Sequence, residues 1–216
     1  METTALRVNV PVTSFRVPHA REYFETLPCP PPSTIYGMLL SMVGEADRTR
    51  HKGAEIASAM LSSPGRSTVL RTLWREKNRN EPRGVGKNRC PDFQQLLSPV
   101  EIAVFIRGGA EEAEAPLLSD RVETALKRPE TVERFGALSL GESTHLVNDV
   151  LRWEDGNRAG GRLLVRDPEG PLCLPVWVDH VGSEGTQFRN YRLEDSCLER
   201  PLPDSAWTCI TREAPA

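Results

Sequence analysis

Between Arg66 and Arg89 the chain carries eight basic side chains (Arg66, Arg71, Arg75, Lys77, Arg79, Arg83, Lys87 and Arg89) against two carboxylates, Glu76 and Glu81. Guanidinium and ammonium groups at that density neutralise phosphates. The interleaved Asn78, Asn80 and Asn88 offer hydrogen bonds to sugars or base edges. Trp74 and Phe93 flank the run, and either ring can stack on an unpaired base. The whole chain has a formal charge of −3, so this arm of +6 sits on a remainder of −9. Attraction to nucleic acid is therefore confined to the arm. The same pattern also describes a solvated charged loop, and the residue types leave both readings open.

Smaller candidates lie elsewhere. Ser33-Thr34-Ile35-Tyr36-Gly37 stands at an expected helix start, where free N–H groups and the helix dipole favour a phosphate; ordinary N-capping is the alternative. Gly141-Glu142-Ser143-Thr144 places small polar groups, Ser143 among them, after an expected strand, and is equally readable as a plain turn. Arg16, in an irregular stretch after the first strand, adds a further candidate RNA contact. Trp177-Val178-Asp179-His180 has an Asp beside a His, but neighbours on a strand point to opposite faces, so a surface His is expected.

Hydrolytic signatures are thin. GxSxG, HExxH, P-loop and GxGxxG patterns are absent, and Gly182-Ser183-Glu184-Gly185 shares only glycines with a nucleophile elbow. The four histidines (His19, His51, His145, His180) do not stand at metal-ligand spacing. The five cysteines, at 29, 90, 173, 197 and 209, form no CxxC pair. Neither a metal, a cofactor nor a disulfide framework is expected. A metal-independent ribonuclease needs only a base, an acid and a cation near the 2′-OH, and a set brought together by folding stays open.

The elements that position these groups follow from periodicity. Ala5 to Val12 alternates Leu6, Val8, Val10 and Val12 against Arg7 and Asn9, a half-buried strand. After Pro30-Pro31-Pro32, Ser33 or Thr34 is expected to cap a helix carrying Ile35, Met38, Leu39 and Met42 to about Glu45. Gly53–Leu61 and Ser67–Trp74 read as strands around the turn Ser62-Ser63-Pro64-Gly65, and Val100–Ile106 as the clearest strand. Asn78 to Asp92 has almost no apolar residue, so it must project or stay loose until something binds it. Glu111–Lys127 reads as a helix, and Phe135–Thr211 as β-rich, with strands at Arg162–Val165, Cys173–Val178, Gln187–Leu193 and Trp207–Thr211. The order predicts an α+β fold: an RRM-like or ferredoxin-like β-α-β-β-α-β domain over 1–140, carrying an extended basic thumb hairpin at about 75–95, with a β-rich C-terminal region, 141–216, packed on it.

Several segments together resemble one family. Leu27-Pro28-Cys29-Pro30-Pro31-Pro32-Ser33-Thr34-Ile35-Tyr36-Gly37-Met38-Leu39-Leu40-Ser41 resembles the PPPST-x-x-G-x-L helix start of the CRISPR-associated Cas-five family. Asn88-Arg89-Cys90-Pro91-Asp92-Phe93-Gln94-Gln95-Leu96-Leu97 is similar to its RPD-x-Q-x-LL return from a thumb hairpin, and Leu140-Gly141-Glu142-Ser143 to its LGRSE stretch, with Glu142 where the family has Arg. Leu174-Pro175-Val176-Trp177-Val178-Asp179-His180-Val181-Gly182 resembles the C-terminal signature of the Dev (DevS-like) subtype. The resemblance implies an RRM-like subunit of a type I effector complex, Cascade. Such a subunit caps the backbone filament beside a backbone subunit, grips the 5′ handle of the CRISPR RNA, and contacts the large subunit and, indirectly, target DNA near the PAM. Carried over by position, the handle grip falls on Ser33, Thr34, Tyr36, Arg71, Arg75, Lys77 and Arg79, and the returning thumb on Lys87 and Arg89.

Two other classes remain. One subtype of the family cuts precursor CRISPR RNA with a Tyr, a Lys and a His, for which Tyr23, Tyr36, His51, His145 and Lys127 are the available parts. Alternatively the arm binds an acidic protein, and the chain is an adaptor. The start METTALRVNV shows no basic-then-apolar leader, and no apolar run approaches a membrane span, so a cytoplasmic protein without membrane contact is expected.

Overall fold

A computed structural model describes residues 3–18, 20, 23–74, 76–153, 160–181 and 184–211. The elements are β1 (Thr4–Val10), β2 (Tyr23–Phe24), α1 (Pro32–Met42), β3 (Glu55–Met60), β4 (Gly65–Trp74), β5 (Arg89–Ser98), β6 (Val100–Arg107), α2 (Leu118–Lys127), β7 (Asp149–Arg152), β8 (Gly160–Arg166), β9 (Leu172–Trp177), β10 (Gln187–Cys197) and β11 (Thr208–Cys209). The fold is α+β. An 8-stranded antiparallel sheet runs β7-β1-β6-β3-β8-β10-β9, with β11 added to β3, and a 3-stranded sheet runs β2-β5-β4.

Chain order β1, α1, β3, β6, α2, β7 is strand, helix, strand, strand, helix, strand, and these four strands lie side by side as β7-β1-β6-β3. The sheet continues across residue 140: β7 pairs with β1, and β8 with β3.

Both faces of the large sheet are covered. Leu6, Val8 and Val10 of β1 and Ile102, Val104 and Ile106 of β6 pack on the side of Ile35, Met38, Leu39 and Met42 from α1 and Val122 from α2. The alternate residues Ala5, Ala57, Ala59, Ala103 and Phe105 pack under Leu198, Leu202 and Trp207. This is why β6 reads as a continuous apolar run: a strand buried on both faces loses the polar alternation of a surface strand.

Several expectations change. Pro31 occupies the N-cap of α1 and Pro32 its first turn, with no side-chain cap bond, so Ser33 and Thr34 lie inside the helix. The Pro31 carbonyl takes the N–H groups of Thr34 and Ile35 instead, at 2.9 and 3.1 Å. Proline at the first helical position is preorganised for the helix and lacks an N–H to satisfy, so no hydroxyl cap is required. The helix ends at Met42, where Gly44 takes a left-handed turn (φ 69°). α2 begins only at Leu118, after Pro116. The residues before Gly141 make one isolated bridge, Ser139 to Leu146, rather than a strand, and the strand that follows α2 is β7.

Candidate nucleic-acid interface

β4 and β5 form a long hairpin paired from Gly65↔Ser98 to Trp74↔Arg89. Its root is tied to the body by the Thr13–Leu97 bridge, whose N–H···O distances are 3.0 and 2.7 Å. Directly paired residues share a face. One face therefore carries Val69, Arg71, Asp92 and Gln94, joined by Phe24 through its pairing with Gln94. The other carries Arg66, Leu70, Trp74, Arg89 and Phe93, joined by Tyr23.

The inner face is docked. Asp92, Gln94 and Phe24 are buried. The Arg71 guanidinium donates to Glu142 Oε2 at 3.1 Å, and Gln94 Nε2 donates to Glu142 Oε1 at 2.9 Å. Arg71 and Arg16 both lie over the Phe24 ring, 5.2 and 4.0 Å from its centroid. Arg16 also donates to the Ala20 carbonyl at 2.8 Å. Glu142, standing where the resembling family has Arg, is thus the counter-ion of an arm residue 71 positions away.

Residues 76–88 project, as the composition requires, yet they are not loose. Asn88 is buried at their centre. Its Oδ1 accepts the N–H groups of Lys77 and Asn78 at 2.7 and 2.8 Å, and its Nδ2 donates to the carbonyls of Asn78 and Glu81, each at 2.7 Å. Glu81 is consumed internally, accepting from Asn78 Nδ2 and from the Lys87 N–H at 2.8 Å each. Arg83 pairs with Glu76 at 3.5 Å. Lys77, Arg79, Lys87 and Arg89 are exposed, with no carboxylate partner among the described residues. Arg75 lies outside the described residues. The composition missed this order because it comes from one amide side chain bonding backbone groups, which leaves no hydropathy signal.

At the other end of the region, a cleft of about 330 Å³ is lined by Ser33, Thr34, Gly37, Arg48, Gly141 and His180, among others. Tyr36 also borders it but is buried, its hydroxyl donating to the Arg48 carbonyl at 2.7 Å. Burial, with Glu112 nearby, raises the Tyr36 phenol well above its ordinary value. The Arg48 guanidinium lies 4.1 Å from the Trp177 ring centroid. Arg48 carries no motif and was not among the sequence candidates. Three of those candidates, the start of α1, the Gly141 turn and His180, meet in this one cleft.

The turn 141–145 connects cleft and hairpin. Gly141 (φ 104°) is required there: a Cβ would stand 2.5 Å from Thr13 Oγ1 and 2.6 Å from the Ser14 carbonyl. His145 Nδ1 accepts the N–H groups of Ser14 and Glu142, each at 3.2 Å. With Nδ1 so engaged, the neutral ring carries its proton on Nε2. Burial, and then Arg71, lower the His145 pKa against the opposing pull of Glu142. Ser143 is exposed on the same turn.

The parts available for a nuclease are not gathered in one open site: Tyr36 lies beside the His51 backbone, and both residues are buried. Tyr23 is on the outer hairpin face, its hydroxyl beside Thr68 Oγ1 (3.3 Å) and accepting from Gln95 Nε2 (3.2 Å). His51 is fully buried between Glu112 (2.9 Å) and Arg121 (2.9 Å). Lys127 pairs with Glu123 on α2 at 3.3 Å. Asp179 shapes a turn, accepting the N–H groups of Val181 (2.9 Å) and Gly185 (3.2 Å), and His180 is exposed beside it. Gly182 and Ser183, like His19, lie outside the described residues. Among the described residues no cluster of three His, Cys, Asp or Glu could hold a metal, and no helix is long and apolar enough to cross a membrane.

Residues 3–190 match the family model for CRISPR-associated protein Cas5. The chain belongs to the Cas5 family. This Cas5 chain is 46% identical over 192 residues to a CRISPR-associated protein Cas5 of Myxococcus xanthus (strain DK1622), covering 88% of this chain and 90% of that protein. Its fold is similar to a chain of a structure titled CRISPR RNA-guided surveillance complex, with TM-score 0.63 and 16% identity over 90% of each chain. A crystal structure of a Cas protein aligns with TM-score 0.51 and 16% identity over 90% of this chain and 94% of that one. The sequence expectation of a Cas-five member agrees with these findings.

Proposed function

We propose that this Cas5 chain is a non-catalytic subunit of a type I CRISPR effector complex, Cascade, acting in the cytoplasm. In this reading the strands β7-β1-β6-β3 with α1 and α2 form an RRM-like unit, and the β4–β5 hairpin is its thumb. The chain holds the 5′ handle of the CRISPR RNA, caps the backbone filament beside a backbone subunit, and contacts the large subunit near the PAM-proximal target DNA. Target sequence is then read by guide pairing rather than by this chain.

The observation that carries the reading is continuity. The turn 141–145 contributes Gly141 to the cleft at α1 and Glu142 to the hairpin, so the start of α1 and the basic arm belong to one surface. An RNA end laid across it meets the Ser33 and Thr34 hydroxyls at one end. At the other it meets the exposed Lys77, Arg79, Lys87 and Arg89. Loops and ends, whose bases are unstacked, are the parts of RNA that proteins read by sequence.

That Tyr23, Tyr36, His51, His145 and Lys127 do not share one open site, with Tyr36 and His51 buried, supports the non-catalytic reading. A general base needs an accessible lone pair within hydrogen-bond reach of the 2′-OH. The His145 Nδ1 lone pair is occupied by backbone donors, and the Tyr36 hydroxyl is buried in a bond to Arg48.

The test is co-purification. Tagged full-length chain, expressed with its neighbouring Cas proteins and a CRISPR array, is expected to recover RNAs that share one 5′ end. Pure chain incubated with precursor RNA in EDTA is expected to leave it intact. Recovery of the protein complex from nuclease-treated lysate, with no RNA bound, would favour an adaptor. Cleavage at the handle boundary would favour the ribonuclease.

A further inference from the structure

We infer that the outer face of the β4–β5 hairpin, extended by Tyr23, is a stacking platform for unpaired RNA bases. The inference rests on the RNA-binding reading above and adds to it the part of RNA that this face takes: the bases, rather than the phosphates.

Four large side chains stand on this face without cover: Trp74 at 71% exposure, Leu70 at 63%, Phe93 at 48% and Tyr23 at 42%. The pairings Leu70↔Phe93 and Tyr23↔Phe93 place three of them in one row across the sheet. The Tyr23 and Phe93 rings are 6.3 Å apart and inclined by 37°, so neither ring covers the other's face. Trp74 lies four residues beyond Leu70 on the same face, about 13 Å along the strand. Its indole rests against Gly84, where a Cβ would stand 2.8 Å from Nε1. The rings are therefore held at fixed positions while their outer surfaces remain open.

Charge favours a base over an apolar protein surface as the occupant. The paired positions of this face, Arg66 to Trp74 on β4 and Arg89 to Leu97 on β5, include Arg66 and Arg89 and no carboxylate. Among the described residues the carboxylate whose charge reaches Tyr23 is Glu25, beyond the end of β2. Thr72 stands between the Phe93 row and Trp74, and Thr68 and Gln95, which contact the Tyr23 hydroxyl, stand between that row and Arg66; these hydroxyl and amide groups are near base edges. Open rings, cations at both ends and neutral polar groups between them are the composition of a single-strand binding surface, where rings take the bases and cations the backbone. Coverage by an apolar protein surface would desolvate Arg66 and Arg89 without supplying an anion.

The experiment titrates the full-length chain into a short oligoadenylate carrying one 2-aminopurine, following anisotropy and 2-aminopurine quenching. Phe93→Ala and Trp74→Ala are each expected to weaken binding about tenfold to a hundredfold and to relieve quenching, with the salt slope unchanged. Phe93→Leu, which keeps apolar bulk without a ring, is expected to behave like Phe93→Ala, and Phe93→Trp to restore binding. The rings are exposed, so thermal melts of these variants are expected to stay at the wild-type midpoint. Undiminished binding and quenching in both alanine variants would overturn the inference. So would normal RNA binding with loss of co-assembly, which would make the face a protein contact. If Lys77→Ala/Arg79→Ala weakens binding while the ring variants do not, the RNA-binding reading stands and the platform falls. If neither set matters, both fall.

Discussion

The two faces of one hairpin carry similar residue types and put them to opposite uses. On the inner face Arg71 meets Glu142, Gln94 shares the same carboxylate, and Phe24 is buried beneath two guanidinium groups. On the outer face Arg89 has no carboxylate partner among the described residues, and Phe93 and Tyr23 are open to solvent. A side chain's role in this arm is set by the parity of its strand position more than by its chemistry. An arginine on the inner parity anchors the hairpin to the body, and one on the outer parity is left for an external anion.

The sharpest break of this comparison uses two adjacent residues. Phe24→Ala is expected to destabilise the fold by about 3–5 kcal/mol, because the ring is almost fully buried and leaves a cavity. Tyr23→Ala is expected to cost less than about 1 kcal/mol, since its ring is exposed and its hydroxyl contacts lie at the surface. Denaturant midpoints of the two variants check this; similar losses would mean that the faces are not distinct.

Next in size is the tip. Asn88→Ala leaves the partly buried N–H groups of Lys77 and Asn78 and the carbonyls of Asn78 and Glu81 without their partner. A local loss of about 2–3 kcal/mol is expected, seen as roughly hundredfold faster amide exchange over residues 76–88. The global midpoint is expected to move little, because the core does not include the tip.

The Arg71–Glu142 contact is smaller. Both side chains are partly exposed, at 29% and 28%, so a double-mutant cycle with Arg71→Ala and Glu142→Gln is expected to give a coupling of about 1 kcal/mol. A coupling near zero would remove the inner anchor.

The smallest effect is pH-dependent and concerns the turn that holds this anchor. The His145 pKa is depressed in the fold, so the unfolded chain binds the proton more readily. Stability is then fully present above about 6.5 and is lost as pH falls below it. His145→Asn, whose Oδ1 can accept the same N–H groups, is expected to flatten the melting midpoint between pH 7 and 5, roughly within the range set by this one group.

Much of the frame was legible in the sequence because its signals are local. The Ile35, Met38, Leu39 and Met42 spacing marked α1, the apolar run Val100–Ile106 marked β6, and basic residues between two strands marked a hairpin. Contacts that depend on pairing across the chain were not legible. β7 is short and has no periodicity of its own, so the strand expected near Gly141 appears instead at Asp149–Arg152, where pairing with β1 defines it. The N-cap expectation failed because a proline run can start a helix without a hydroxyl. Within the arm, charge marked Arg71 and Arg89 alike; only the register Arg71↔Asp92 and Trp74↔Arg89, together with Glu142 arriving from a distant turn, separates them.

That separation is tested most directly by the salt dependence of RNA affinity. With single-stranded handle RNA, Lys77→Ala/Arg79→Ala/Arg89→Ala is expected to flatten the slope of log K against log[salt] by about 2, as about three lost phosphate contacts would, while leaving the thermal midpoint unchanged. Arg71→Ala is expected to lower the midpoint and keep the slope. A triple variant with wild-type slope, or an Arg71→Ala variant that flattens it without loss of stability, would contradict the division between the docked Arg71 and the open cations of the tip and outer face.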